Sequence, residues 1–154
     1  MGGNDKGQLA LDYFNRGFNC AQSVFTAFHT EMGLEEAEAL RLSSSMGGGV
    51  GGLREICGAF CGMSMALGAL LGYDSPTDLE RKKAHYARIQ EKAERFREAY
   101  GTVICRELLE SHGIQPSPVP AERNEAYYLA RPCARYVEAC ARMAQEDLDA
   151  PAQG

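Results

Sequence analysis

From Ile56 to Tyr73 the chain runs for eighteen residues without a charge, in a protein where 24% of residues are charged. Such a segment has to be withdrawn from water. Its length is the lower edge of a membrane span, but four glycines (Gly58, Gly62, Gly68, Gly72) and Ser64 punctuate it, and Arg54-Glu55 and Asp74 close its ends. No second segment resembles it, and no interfacial Trp marks an orientation. The expectation is a buried central helix and no membrane span. The rest of the chain supplies the cover. Residues 1–75 hold 4 Lys/Arg and 8 Asp/Glu, whereas residues 76–154 hold 12 and 13, as helices with one wet face require.

Helical spacing runs through nearly the whole sequence. Leu9, Leu11, Tyr13 and Phe14 predict a first helix stopping at Gly17. Asn19 then caps a second helix, with Gln22 as the reciprocal partner. Its apolar positions Val24, Phe25, Phe28 and Met32 lead to Gly33. A short helix covers Glu35 to Ser44, and Gly47-Gly48-Gly49-Val50-Gly51-Gly52 follows as a run that no regular element can hold. Beyond the uncharged helix, Ser75-Pro76-Thr77-Asp78 carries start signals. There Leu79, Tyr86, Ala93 and Tyr100 recur every seven residues, with Ile89, Phe96 and Val103 between them, which predicts a helix of about seven turns. Thr102 is read as the cap of a short helix through Ser111. Gln115–Pro120 is a Pro-rich surface loop, and Pro132 opens a last helix that buries Val137, Cys140, Ala144 and Leu148. No run alternates with period two. The fold expected is an all-α bundle of six to seven helices, one domain over 1–154, with flexible ends near 1–5 and 150–154.

The balance of 16 Lys/Arg against 21 Asp/Glu gives a net charge of −5 with no basic block, which argues against nucleic acid as a partner. Met1-Gly2-Gly3-Asn4-Asp5-Lys6 shows no cationic stretch leading into an apolar run. The location expected is therefore cytoplasmic, where cysteines stay reduced unless they bind metal or do redox work. The apolar stripe of the long helix suits a homodimer.

The six cysteines (Cys20, Cys57, Cys61, Cys105, Cys133, Cys140) include no CxxC pair. A chain of 154 residues has core enough to fold without disulfides, so they need another explanation. Four fall in the first turn of a predicted helix: Cys20 after Asn19, Cys57 opening the uncharged helix, Cys105 after Thr102 and Cys133 after Pro132. A helix start favours thiolate through its free N–H groups and positive dipole end. Brought together, these four make a thiolate-rich pocket suited to metal, an iron–sulfur cluster or disulfide chemistry. Cys61 stands one turn beyond Cys57, where both could reach one metal. Cys140 lies on an apolar stripe and reads as core filler. Arg54, beside Cys57, is placed to support a thiolate or to neutralise a bound cluster. The glycine run, with Gly48 and Gly49, lacks the Lys-Ser/Thr ending of a phosphate loop. It reads as a loop allowing close backbone approach, or as a lid over the pocket. His29, His85 and His112 form no metal-binding pair.

Cys57-Gly58-Ala59-Phe60-Cys61-Gly62 matches a CGAxxG motif and resembles the C_GCAxxG_C_C family of redox-active proteins. Asn19-Cys20-Ala21-Gln22, Met65-Ala66-Leu67-Gly68 and Cys105-Arg106-Glu107-Leu108 extend the resemblance from about Phe14 to Leu148. It carries over onto Cys20, Cys57, Cys105 and Cys133, and assigns no role to Cys61 or Cys140. The function it implies is that of an oxidoreductase-type cysteine protein, working by thiol/disulfide exchange or by iron–sulfur electron transfer. In the first case the four cysteines are catalytic, with Cys57 expected to attack first because Gly58 leaves it room, and the partner is a redox protein or a small thiol or disulfide. In the second they are cluster ligands. Two alternatives stand beside these: thiolate binding of zinc or another soft ion, and a dimeric helical module without chemistry.

Overall fold

The computed structural model describes residues 5–150. Within them are nine right-handed α-helices: α1 (Lys6–Asn15), α2 (Cys20–Thr26), α3 (His29–Met32), α4 (Glu36–Ser43), α5 (Gly58–Leu71), α6 (Leu79–Tyr100), α7 (Cys105–Glu110), α8 (Glu125–Ala130) and α9 (Cys133–Asp149). Among the described residues the only strand-like pairing is an isolated antiparallel bridge between Ile56 and Ile104. The chain is all-α. Apart from Asp5 and Ala150, the ends expected to be flexible lie outside the described residues.

The count exceeds seven for two local reasons. The helix expected between Asn19 and Gly33 breaks after Thr26, and the freed carbonyl of Ala27 accepts from the buried Lys6 Nζ at 3.1 Å. Lys6 is paired in turn with Glu31 at 2.7 Å, so the break costs no buried unpaired carbonyl at Ala27. The second addition is α8, whose first turn is capped by Asn124 accepting from the Tyr127 amide at 2.9 Å.

A kernel of α1, α2, α5 and α9 holds the core: α2 packs on α5, α1 on α9, and α9 on both α5 and α2. Phe14, Val24, Phe28, Met63, Leu67, Val137 and Cys140 are fully buried there. The uncharged helix is the centre of the bundle, and no helix among the described residues is long and apolar enough to cross a membrane. Its glycines set the packing distance. A Cβ built on Gly62 would lie 2.6 Å from the Ala21 carbonyl oxygen, and one on Gly58 would lie 3.3 Å from Cys20 Cβ. The backbone of α5 thus rests directly on the first turn of α2.

The long helix α6 departs from its heptad pattern. Asp78 caps it by accepting from the Arg81 amide at 3.1 Å, but its first half touches the rest of the fold mainly where Tyr73 packs on His85 and Tyr86, with Leu79 67% and Tyr86 49% exposed. The second half docks. Phe96 packs against Phe60, Tyr100 and Tyr136, and the buried Lys92 pairs with Asp147 of α9 at 2.9 Å.

The glycine run has a definite form, a left-handed turn. Gly48, Gly49, Val50, Gly51 and Gly52 all have positive φ, between 57° and 81°. This conformation costs about 1–2 kcal/mol for each residue bearing a Cβ, and only Val50 among the five does. The turn is pinned to the approach of α5 by bonds from the Arg54 and Glu55 amides to the Gly48 and Gly49 carbonyls, both 2.9 Å. Replacing Gly62 by Ala is expected to push α5 off α2 and destabilise the fold by about 1–3 kcal/mol in urea unfolding. Unchanged stability would mean the contact yields freely.

Candidate functional site

The sequence elements carrying the four helix-start cysteines meet at one end of the kernel. Cys20, Cys105 and Cys133 are the first residues of α2, α7 and α9, and Cys57 is the residue that caps α5. Two contacts lock the arrangement. Gly58 brings α5 onto Cys20, as above. The bridge at Ile56 and Ile104 ties the other two: the Cys57 amide donates to the Val103 carbonyl at 2.8 Å and the Cys105 amide to that of Glu55 at 2.6 Å. All four cysteines line a single cavity of about 510 Å³, a size that suits a small molecule. Gly47, with Gly48, Gly51 and Gly52 of the left-handed turn, forms part of its wall, as do Pro118 and Pro120 from the Pro-rich loop. The turn is wall rather than lid, because its own hydrogen bonds hold it in place.

The other expected site residues divide. Arg54 lines the cavity: its Nε donates to the Ser117 carbonyl at 2.8 Å, and its Nη1 stands 3.7 Å from the Cys105 sulfur. Gly48 lines it and Gly49 does not; a Cβ on Gly49 would lie 2.6 Å from the Glu55 nitrogen, so that glycine serves packing. Cys61 lies off the cavity, its thiol directed to the Ile56 carbonyl at 3.7 Å, and Cys140 is fully buried in the core. None of the three histidines lines the cavity.

Four lining residues escaped the sequence reading: Arg123, Tyr127, Arg131 and Tyr136. A signal for two of them was present, since Arg131 stands two residues before Cys133 and Tyr136 three after it. Arg123 is firmly held. Its guanidinium lies 4.4 Å from the Phe14 ring centre and 4.7 Å from that of Tyr127, and donates to the Phe14 and Phe18 carbonyls at 3.0 and 2.6 Å.

The thiols differ in acidity. Hydrogen bonding from the Cys20 thiol, with the fields of Arg131, Arg123 and Arg54, favours thiolate on Cys133, outweighs burial and draws the Cys133 thiol down to about 7. Its partner Cys20 moves the opposite way, well up, because it supplies the proton of that bond and is itself buried. The two thiols titrate as a pair, with thiolate favoured on Cys133 and the proton on Cys20. Burial pushes Cys57 up to about 12 even though the Phe60 and Ala59 amides oppose it. Burial also raises Cys105, against the pull of Arg54. Space beside a sulfur does not make it a thiolate: burial works against thiolate at Cys57, and Cys133 is the member of the set whose pKa is drawn down.

A family model described as "putative redox-active protein (C_GCAxxG_C_C)" matches residues 18–147. The chain belongs to this family. No curated protein and no solved structure matches it. The CGAxxG motif gains a physical meaning here: its two glycines, Gly58 and Gly62, are the positions where α5 touches α2, so the motif sets Cys57 beside Cys20.

A single metal ion needs several donors that converge on it. Among the described residues, no three or more His, Cys, Asp or Glu side chains are disposed to hold one ion. Cys20 is engaged with Cys133 and Cys105 with Arg54. This arrangement fits a dithiol better than a single-ion ligand set.

Alkylation of Cys133, followed by peptide mass against pH, is expected to show a midpoint near 7. In Cys20→Ala the midpoint should rise, and Cys20→Ser should restore part of the shift. A midpoint that stays in the ordinary cysteine range near 8.5 in the native protein would contradict the coupled pair.

Proposed function

We propose that this chain is a thiol–disulfide oxidoreductase whose working dithiol is Cys133 and Cys20. The observation that carries this reading is that the two cysteines meet in one cavity lined by three arginines, a setting that favours thiolate on Cys133 and a protonated Cys20. The same division of roles between attacking and resolving thiols underlies disulfide exchange generally.

The thiolate of Cys133 attacks one sulfur of a substrate disulfide. A new S–S bond forms between Cys133 and that sulfur, the substrate S–S bond breaks, and the other sulfur leaves as a thiolate. That leaving thiolate takes the proton released by Cys20. The Cys20 thiolate then attacks Cys133, forming the Cys20–Cys133 disulfide and expelling the second substrate thiolate, which takes a proton from water. The substrate disulfide has gained two electrons and the protein dithiol has lost them. An external dithiol, of a partner protein or a small molecule, returns the pair to its reduced form by the reverse exchange.

Arg131, Arg123 and Arg54 lower the energy of the attacking thiolate, and the buried setting of Cys20 keeps it protonated until the first exchange raises its need to react. Cys57 and Cys105 stay thiols in this step. The reading favours bare thiols over a single zinc ion because, among the described residues, no trio of donors converges on a point.

Treatment of Cys20→Ser with hydroxyethyl disulfide is expected to trap one mixed disulfide on Cys133, found by intact mass and peptide mapping. Cys133→Ser should trap none at Cys20, and the native protein should pass through to an internal disulfide. Equal labelling of Cys57 or Cys105 in place of Cys133 would sink the proposal.

A further inference from the structure

The site cavity is basic in an acidic protein. The chain carries a net charge of −5, yet Arg54, Arg123 and Arg131 line the cavity and no Asp, Glu or Lys does. None of the three arginines forms an ion pair with a carboxylate among the described residues. The arginines elsewhere that are paired, such as Arg88 with Asp147 at 2.8 Å and Arg142 with Glu138 at 2.7 Å, show the usual arrangement in this fold.

Their donors are not equally spent. Arg123 gives its Nη atoms to the Phe14 and Phe18 carbonyls and the Tyr128 hydroxyl. Arg54 gives Nε to Ser117 and directs Nη1 at Cys105. The Arg131 side chain makes no hydrogen bond or ion pair with the described residues; its guanidinium lies 4.8 Å from the Tyr127 ring centre, and the residue is only half-buried. A planar guanidinium that is stacked on an aromatic ring and has its N–H groups unspent is preorganised for bidentate capture of a carboxylate. It also stands two residues from the acidic thiol, at the mouth of α9.

We infer that the substrate of this cavity is a low-molecular-weight disulfide bearing carboxylates, held by Arg131 with Arg54 and Arg123 supplying the surrounding positive field. The inference rests on the dithiol reading for its chemistry and on the arginines for its charge preference. A cavity of about 510 Å³ holds a small disulfide whole, and a protein surface carrying net negative charge would otherwise repel such a molecule. The step is the exchange already given: the dianion's S–S bond is reduced to two mercaptocarboxylates while Cys133 and Cys20 lose two electrons and the one proton of Cys20, the second proton coming from water.

Two measurements on the full chain separate this inference from the reading beneath it. In the first, the reduced protein is mixed with dithiodiglycolate, hydroxyethyl disulfide or cystamine, which are anionic, neutral and cationic. Formation of the internal disulfide is followed by mass, and each rate is divided by that of a free thiol with the same reagent. The dianion is expected to exceed the dication by at least about tenfold at low salt, with the gap closing as salt rises. Arg131→Gln should remove most of the advantage and Arg131→Lys should keep part of it. Equal normalised rates, or preference for cystamine, overturns the inference and leaves the dithiol reading standing. In the second, binding of adipate and of diaminohexane, which carry no disulfide, is measured by calorimetry. Adipate alone should bind, and Arg131→Gln should abolish its binding. If no disulfide oxidises the protein but adipate still binds through Arg131, the dithiol reading fails and the anion site survives; if adipate binds no better than the diamine, the anion site fails.

Discussion

The arrangement depends on the absence of two side chains. Gly58 and Gly62 let α5 lie on the first turn of α2 with no Cβ between them, where a methyl at Gly62 would sit 2.6 Å from the Ala21 carbonyl oxygen. From that contact follows the position of Cys20 beside the start of α5. The bridge at Ile56 and Ile104 then fixes the start of α7, and the packing of α9 on both α2 and α5 delivers Cys133. The site is thus a consequence of how the central helix is approached. The left-handed glycine turn leads the chain into that helix, and its four glycines keep the strain of positive φ to Val50 within the turn and to Arg54 just beyond it.

Acidity is the second consequence. Four thiols in one cavity are not equivalent, because burial raises all of them while charge and hydrogen bonding act on each differently. Arg131, Arg123 and the bond from Cys20 act together on Cys133, whereas Cys57 meets only two amides and stays near 12. The difference between these two sulfurs comes from their neighbours, not from their common place at a helix start.

Much of this was legible in the chain. The capping box of Asn19 and Gln22 is formed by bonds of 2.8 and 3.0 Å, and the uncharged segment is the central helix. The four cysteines stand at or next to helix starts because Asn19, Pro132 and the polar residues around them are local signals that neighbouring residues decide. What remained hidden was settled by distant parts of the chain. The break after Thr26 depends on Lys6 reaching Ala27 from another helix. The exposed half of α6 has a good apolar period but meets little besides Tyr73, so Leu79 and Tyr86 stay largely in water. Arg123 could not be linked to the site from sequence, since it reaches the cavity by packing on Phe14, more than a hundred residues away. Proton placement was the least legible feature, because it depends on which charges meet around each sulfur in space.

The central claim is that Cys133 and Cys20 form one redox pair. It is tested most directly by equilibrating the protein in thiol–disulfide buffers of graded potential, quenching with acid, and mapping every disulfide by peptide mass. The account expects a single reversible disulfide, Cys20–Cys133, that appears and disappears with a two-electron dependence while Cys57, Cys61, Cys105 and Cys140 remain thiols. A reversible pair formed by Cys57 and Cys105, or a mixture of pairings with no Cys20–Cys133 bond at equilibrium, would contradict it.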